Sequence, residues 1–223
     1  AKSARTRCDR AAHMGGPVLK LIYRGEYRSE DQLPKGNLPQ NAIRFDEPET
    51  AEALVRRAAW FCVPAGAFIA LVVAVSALFS GFVKINPASP AFFAGMALFL
   101  LALLPHELLH AVCFGKDAEV ELYISIKNMM LFVVCAKPIS KRRFIFMSLL
   151  PNVVLGALPL LVWAALPYDG VFSNLLFSFS VMAILGGVGD YLNVFNALRQ
   201  MPKGSMQQLS GFHSYWFLPE KGA

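Results

Sequence analysis

The chain has 223 residues, 56% of them hydrophobic and 16% charged, with a mean hydropathy of +0.47 and a formal net charge of +6. That mix departs from the ordinary soluble domain and reads as a membrane protein. Its Lys and Arg sit in blocks that flank apolar runs and carry no aromatic-interleaved basic motif, so topology accounts for the charge and nucleic acid is set aside as a partner.

Residues 1–57 are polar and basic and are expected to form a cytoplasmic segment. Ala1–Met14 is unlike the rest, its His-Met pair resembling a cloning scar, and is assigned no function. Gly15–Thr50, with several Pro and Gly and little periodicity, reads as a small strand-and-loop region. No cleavable signal is expected, because the first apolar run comes late and is too long for an h-region. The four cysteines, Cys8, Cys62, Cys113 and Cys135, show no close pairing and read as free thiols.

Four apolar runs follow, at Ala58–Val83, Ala91–Phe114, Phe144–Leu166 and Val171–Ala197. Each reaches the roughly 20 residues that carry a helix across about 30 Å of hydrocarbon. The expected fold is therefore mainly α: a polytopic four-helix transmembrane bundle over 58–198, with a small cytoplasmic β-hairpin inside its 116–143 loop and a cytoplasmic tail over 199–223. Arg56 and Arg57 precede the first span, and Lys116, Lys127, Lys137, Lys141, Arg142 and Arg143 fill the loop between the second and third, against Lys84 alone on the opposite side. The positive-inside rule then places both termini and residues 115–143 in the cytoplasm.

The second run contains HELLH, His106 to His110. Residues four apart stack on one helix face, so the two imidazoles can hold one zinc, while Glu107 stands beside them within reach of a water on the metal. In that arrangement the carboxylate takes a proton from the water and the zinc polarises the scissile carbonyl. Ionisable groups inside a bilayer are expensive and by default functional. The plainer alternative is a pair of histidines bonded to neighbouring helices. Pro105, just before the motif, frees a carbonyl and is expected to kink the helix.

In the loop, Val120, Leu122, Ile124 and Ile126 alternate with other residues before Lys127–Asn128 and a second β-branched run, which predicts a hairpin over Glu119–Ala136. Its edge is expected to receive the substrate as an added strand, with Ile124 and Val133 as edge donors. The alternative is a hairpin that only covers the bundle. The third run places Ser148, Asn152 and Gly156 on one face, with Asn152 either a substrate ligand or interhelical glue.

A catalytic zinc needs a third protein ligand and an open position. Asp190 is the other acidic residue deep in a span, at a depth that matches His106. Gly186, Asp190, Asn193 and Ala197 share one face of the fourth run, making Asn193 a candidate partner of Asp190. His213, in the tail, is a lower-ranked rival as ligand.

HELLH in a membrane span, with a later intramembrane Asp after a glycine pair, resembles the site-2 protease class of intramembrane zinc metalloproteases. "LPKGNLPQNAIRFDEPE", "GDYLN" and "MPKGSMQQLSGFHSYWFLP" are similar, more narrowly, to the bacterial zincin membrane peptidases. The resemblance runs over most of Leu33–Pro219. It implies zinc ligands at His106 and His110, a base at Glu107, and residence in a bacterial cytoplasmic membrane. The Asn- and Pro-rich stretch ending in Asp-Gly that is usual in the site-2 class is absent, since Tyr191 follows Asp190.

The expectation is an intramembrane zinc endopeptidase with one zinc per chain, acting on membrane proteins or peptides within the lipid bilayer. The alternative is a non-catalytic metal-binding scaffold that keeps the peptidase fold. A membrane di-iron oxidase needs more histidine and glutamate clusters than four histidines supply.

Overall fold

The computed structural model describes residues 19–126 and 130–219. Ala1–Met14 and the expected turn at Lys127–Asn128 lie outside the described residues. The chain is mainly helical, with two small sheets gathered at one end of the helices.

The first helical stretch starts earlier than the hydropathy suggests. Thr50 Oγ1 accepts the Ala53 N–H at 3.3 Å and caps α1, Ala51–Ala59, which leads through a two-residue turn into α2, Cys62–Ser80. Gly81, at φ 77°, ends α2 in the left-handed conformation that glycine adopts without strain. Ser89 then caps α3, Pro90–Val112, with Pro90 in the first turn, where its missing N–H is not needed. α3 continues through Pro105 without a break.

The third stretch is α4, Lys141–Pro151, a π-helical turn over Asn152–Ala157, and α5, Leu158–Ala165. The fourth is not the continuous helix the sequence predicts. α6, Phe172–Gly186, and α7, Val188–Gln200, meet at 43° across Gly187. A Cβ on Gly187 would overlap Asn152 Oδ1, so only glycine lets the π-helical turn come this close. Ala51–Ser80, Pro90–Val112 and Lys141–Ala165 are long and apolar enough to cross a membrane, and α6 with α7 makes a fourth if the bent pair is one span.

The sheets are built from pieces far apart in sequence. β3, Glu119–Ser125, pairs antiparallel with β4, Met130–Val134, as the hairpin reading expects, but it also pairs parallel with β1, Lys20–Glu26. β3 is therefore the central strand and β4 an edge. β2 (Ile43–Arg44), β5 (Ile139–Ser140), β6 (Met206–Ser210) and β7 (His213–Phe217) form the second sheet in the order β2-β7-β6-β5.

Both faces of the first sheet are covered, which alternation in one strand does not reveal. Val120 and Val133 pack towards α3, α4 and α7 with Phe144, Met147 and Ala197. Tyr123, Phe132 and Val134 pack towards Leu33, Leu209 and Phe212. Buried Glu121 is paired with Arg24, and the Tyr123 hydroxyl donates to its Oε2 at 2.6 Å. Ile124 is not an edge donor, contrary to expectation: it lies in the central strand, and its carbonyl accepts the Tyr27 N–H at 2.7 Å.

Candidate metal centre

The 3.6-residue period of α3 puts His106 and His110 on one face, with ring centroids 4.9 Å apart. The bend at Gly187 starts a new helix beside them. Asp190 sits in the first turn of α7, where unpaired N–H groups and the helix dipole favour a carboxylate. Its Oδ2 lies 3.1 Å from His106 Nε2 and its Oδ1 3.2 Å from His110 Nε2. All three side chains are only 10–12% exposed.

Neighbouring groups fix the orientation of two of these donors. Pro151 has no N–H, so the carbonyl of Met147, four residues earlier, has no donor at that position of its own helix. It accepts instead from His110 Nδ1 at 3.0 Å. That bond sets the tautomer and leaves the Nε2 lone pair facing Asp190. Asn152 Nδ2 donates to Asp190 Oδ2 at 2.7 Å and to the Ser148 carbonyl at 3.1 Å. Asn193, one turn beyond Asp190, lies on the wall of the adjoining cavity, and the amide that bonds the carboxylate is that of Asn152.

The donor set fits zinc. Its candidate ligand atoms lie within 4.8 Å of one another. With metal–ligand bonds of about 2.0–2.2 Å, tetrahedral ligands stand roughly 3.3–3.6 Å apart, close to the 3.1 and 3.2 Å between each imidazole and the carboxylate. His213 is elsewhere: it lies in β7 between Glu47 and Glu49, at 3.5 and 3.6 Å.

Glu107 points to the same place from the shoulder of α3. Its Oε2 accepts the Val133 N–H at 3.0 Å. Hydrogen-bonding direction alternates along an antiparallel pair, so Val133 and Leu131 turn their backbone groups away from β3 and towards the site. Glu107, His106, His110 and Asp190 open into one cavity of about 420 Å³, with Met130–Val133 of β4 on one wall and Leu54, Val55 and Ala58 of α1 on another. Gln207, Leu209 and Ser214 also line it, from β6 and β7.

Residues 98–206 match the family model described as "Putative zincin peptidase". The matched segment takes in HELLH, β3, β4 and Asp190; it suggests a zincin-like metallopeptidase, a class that implies zinc, and His106, His110 and Asp190 form a group that could hold a metal. Neither a curated protein nor a solved structure matches the chain.

Sequence reasoning missed the Met147 carbonyl, the bond from Val133, expected only as an edge donor for substrate, to Glu107, and the polar groups contributed by the tail. Pro151 was the available signal for Met147. The side chains that line the cavity from β6 left no signal short of the tertiary fold.

Proposed function

We propose that the protein is a membrane-embedded zinc endopeptidase of the site-2 protease kind, cutting peptide bonds in or beside the membrane segments of other proteins. The observation that supports this most is the convergence of His106, His110 and Asp190 with Glu107 in a cavity whose wall is an unpaired strand edge. His106, His110 and Asp190 would hold one zinc, with Asn152 orienting the carboxylate. Zinc at that position supplies Lewis acidity, which polarises a carbonyl and acidifies a water.

Glu107 takes a proton from the attacking water on its carboxylate and passes it to the leaving amine. Val133 holds that carboxylate in place before substrate arrives. A peptide bond inside a helix is shielded by its own hydrogen bonds, so the substrate must unwind, and unwound backbone in a dry setting needs new partners. Leu131 and Val133 offer them by strand addition. A strand that takes the Val133 N–H releases Glu107 from it, so docking and freeing of the base go together. In this reading both termini and the 115–143 loop are cytoplasmic, and water reaches the zinc from that side.

The test is metal analysis of detergent-purified protein with a substrate-trapping comparison. Wild type should carry about one zinc per chain and cleave. Glu107→Gln should keep the zinc and trap substrate uncut, and the double variant His106→Ala/His110→Ala should lose the metal. Full zinc in that double variant refutes the site. Zinc without turnover in wild type favours the scaffold reading.

A further inference from the structure

We infer that Gln207 is a positioning residue for the bound peptide, its Nε2 donating to a carbonyl on the substrate edge that faces away from β4. The inference rests on the peptidase reading and adds a residue beyond the matched segment, which ends at residue 206.

Gln207 sits in β6 between Ile139 of β5 and Trp216 of β7, so neighbouring strands flank it on both sides. It is 3% exposed, lines the same cavity as Glu107 and Val133, and its Nε2 has no partner among the described residues. The next residue shows what a structural glutamine does in this sheet. Gln208, buried to a similar degree, donates its Nε2 to the Ala136 carbonyl at 2.8 Å. A buried amide donor left unpaired is costly, and natural proteins keep few of them.

The chemistry of the missing partner follows from the surroundings. The free group is a neutral N–H donor, so it calls for an acceptor oxygen. The α1 wall, Leu54, Val55 and Ala58, is apolar and offers no side-chain partner to the second edge of an inserted strand. An extended peptide turns alternate carbonyls to opposite sides. If β4 takes one edge through Leu131 and Val133, the other carries carbonyls that need donors. Gln207 supplies one, from a strand whose own position is fixed by pairing on both sides. The occupant is therefore an uncharged, extended peptide segment.

The test uses full-length protein in detergent and a dye-labelled, uncharged peptide of Leu, Ala and Gly, with affinity read by fluorescence anisotropy in the Glu107→Gln background. Gln207→Leu removes the donor. Gln207→Met removes it while keeping the length and unbranched shape of the side chain, which guards against a packing defect in the first variant. Each should weaken binding about 3- to 10-fold, the range of a neutral hydrogen bond. With Glu107 restored, KM for the same peptide should rise by a similar factor while kcat, zinc content and melting temperature stay near wild type. Unchanged affinity in both variants overturns the assignment to Gln207 and leaves zinc binding and Glu107-dependent cleavage untouched. Loss of zinc or of thermal stability in both makes Gln207 structural and overturns it equally. No binding by the Glu107→Gln parent overturns it as well, and wild type that is zinc-replete but cleaves nothing separates failure of the peptidase reading from failure of this one.

Discussion

Two polar clusters lie buried among the apolar helices, at opposite ends of α3, and they are satisfied in different ways. At the N-terminal end, Lys84 Nζ donates to the Ala164 and Leu166 carbonyls at 3.1 and 2.9 Å, and Asn174 Oδ1 accepts the Asn86 N–H while its Nδ2 donates to the Gly170 carbonyl. These side chains close helix ends and connections. One donor at that end, Trp163 Nε1, lacks a partner among the described residues, and it lines neither the cavity at Glu107 nor the apolar one beside Phe61 and Phe68. At the other end, sixteen residues or about 24 Å along α3, two imidazole nitrogens crowd one carboxylate. Ser148 Oγ, Asn152 Oδ1 and Gln207 Nε2 have no partner there among the described residues, and Ser148 and Gln207 line the cavity. Burial of polar groups alone does not mark a site. Donors and acceptors left in excess beside a cavity do.

The strongest way to break this contrast is to exchange the roles of the two ends. Asp190→Ala removes one of the three proposed ligands, and zinc affinity should fall by more than the roughly 10- to 100-fold typical of outer partners, with loss of cleavage. His213→Ala, at a residue paired with Glu47 and Glu49, should leave zinc content unchanged. Both are read by metal analysis after dialysis against a graded chelator. Retained zinc in Asp190→Ala would mean that the carboxylate merely pairs the histidines.

Asn152→Leu should have the next largest effect. It removes the donor to Asp190 Oδ2 while still filling the space against Gly187, and zinc affinity and kcat/KM should each fall about 10- to 100-fold. An unchanged chelator titration would reduce Asn152 to a packing contact at the bend.

How much of this was legible in the sequence follows from the range of each interaction. His106, Glu107, His110 and Asp190 stand out because a charge in an apolar run must be repaid, and one helix period decides which of them share a face. The bend at Gly187 is hidden because it depends on Asn152, from another helix, pressing on the glycine. Pairing of β1 with β3 joins residues about a hundred positions apart, and nothing local signals it. That pairing is why Ile124 is central and Val133 alone of the two lies at the edge. The tail reads as a polar appendage, yet through Gln207, Leu209 and Ser214 it lines the cavity, because burial of MQQLS is decided by what it lies upon.

Lys84→Met sharpens the comparison from the structural end. It takes the Lys84 donor from the Leu166 carbonyl and leaves the Ala164 carbonyl with Ser76 Oγ at 3.3 Å, at a cost of about 1–3 kcal/mol. Thermal unfolding in detergent should shift down by several degrees, while zinc content and KM stay put. A loss of zinc would show the two ends to be coupled through α3.

The smallest effect concerns a third polar site, outside the helices, where satisfaction is incomplete but no metal-binding set forms among the described residues. Glu47 lies just before α1, with its side chain 8% exposed; its Oε1 accepts the Ser214 N–H at 2.7 Å and lies 3.5 Å from His213 Nδ1. Burial pushes its carboxyl up to about 7, against the pull of the Ser214 N–H and of Arg44 and Arg57. A carboxyl whose pKa is raised in the folded state binds its proton more tightly there than when unfolded. Its contribution to stability is full below the ordinary carboxylate range, near 4.5, and is lost as pH rises to about 7. His213 works the other way: burial and Arg44 lower its pKa, so its contribution is present above about 6.5 and lost as pH falls. The Glu47 shift is the larger, so the melting temperature of wild type should decline between about pH 5 and 7.5. Glu47→Gln removes that decline and leaves the shallow opposite slope of His213, so the two melting curves should diverge with rising pH. Parallel curves would show that the Glu47 carboxyl gains enough from Ser214, Arg44 and Arg57 to stay ionised, which would make this third site as fully satisfied as the one around Lys84.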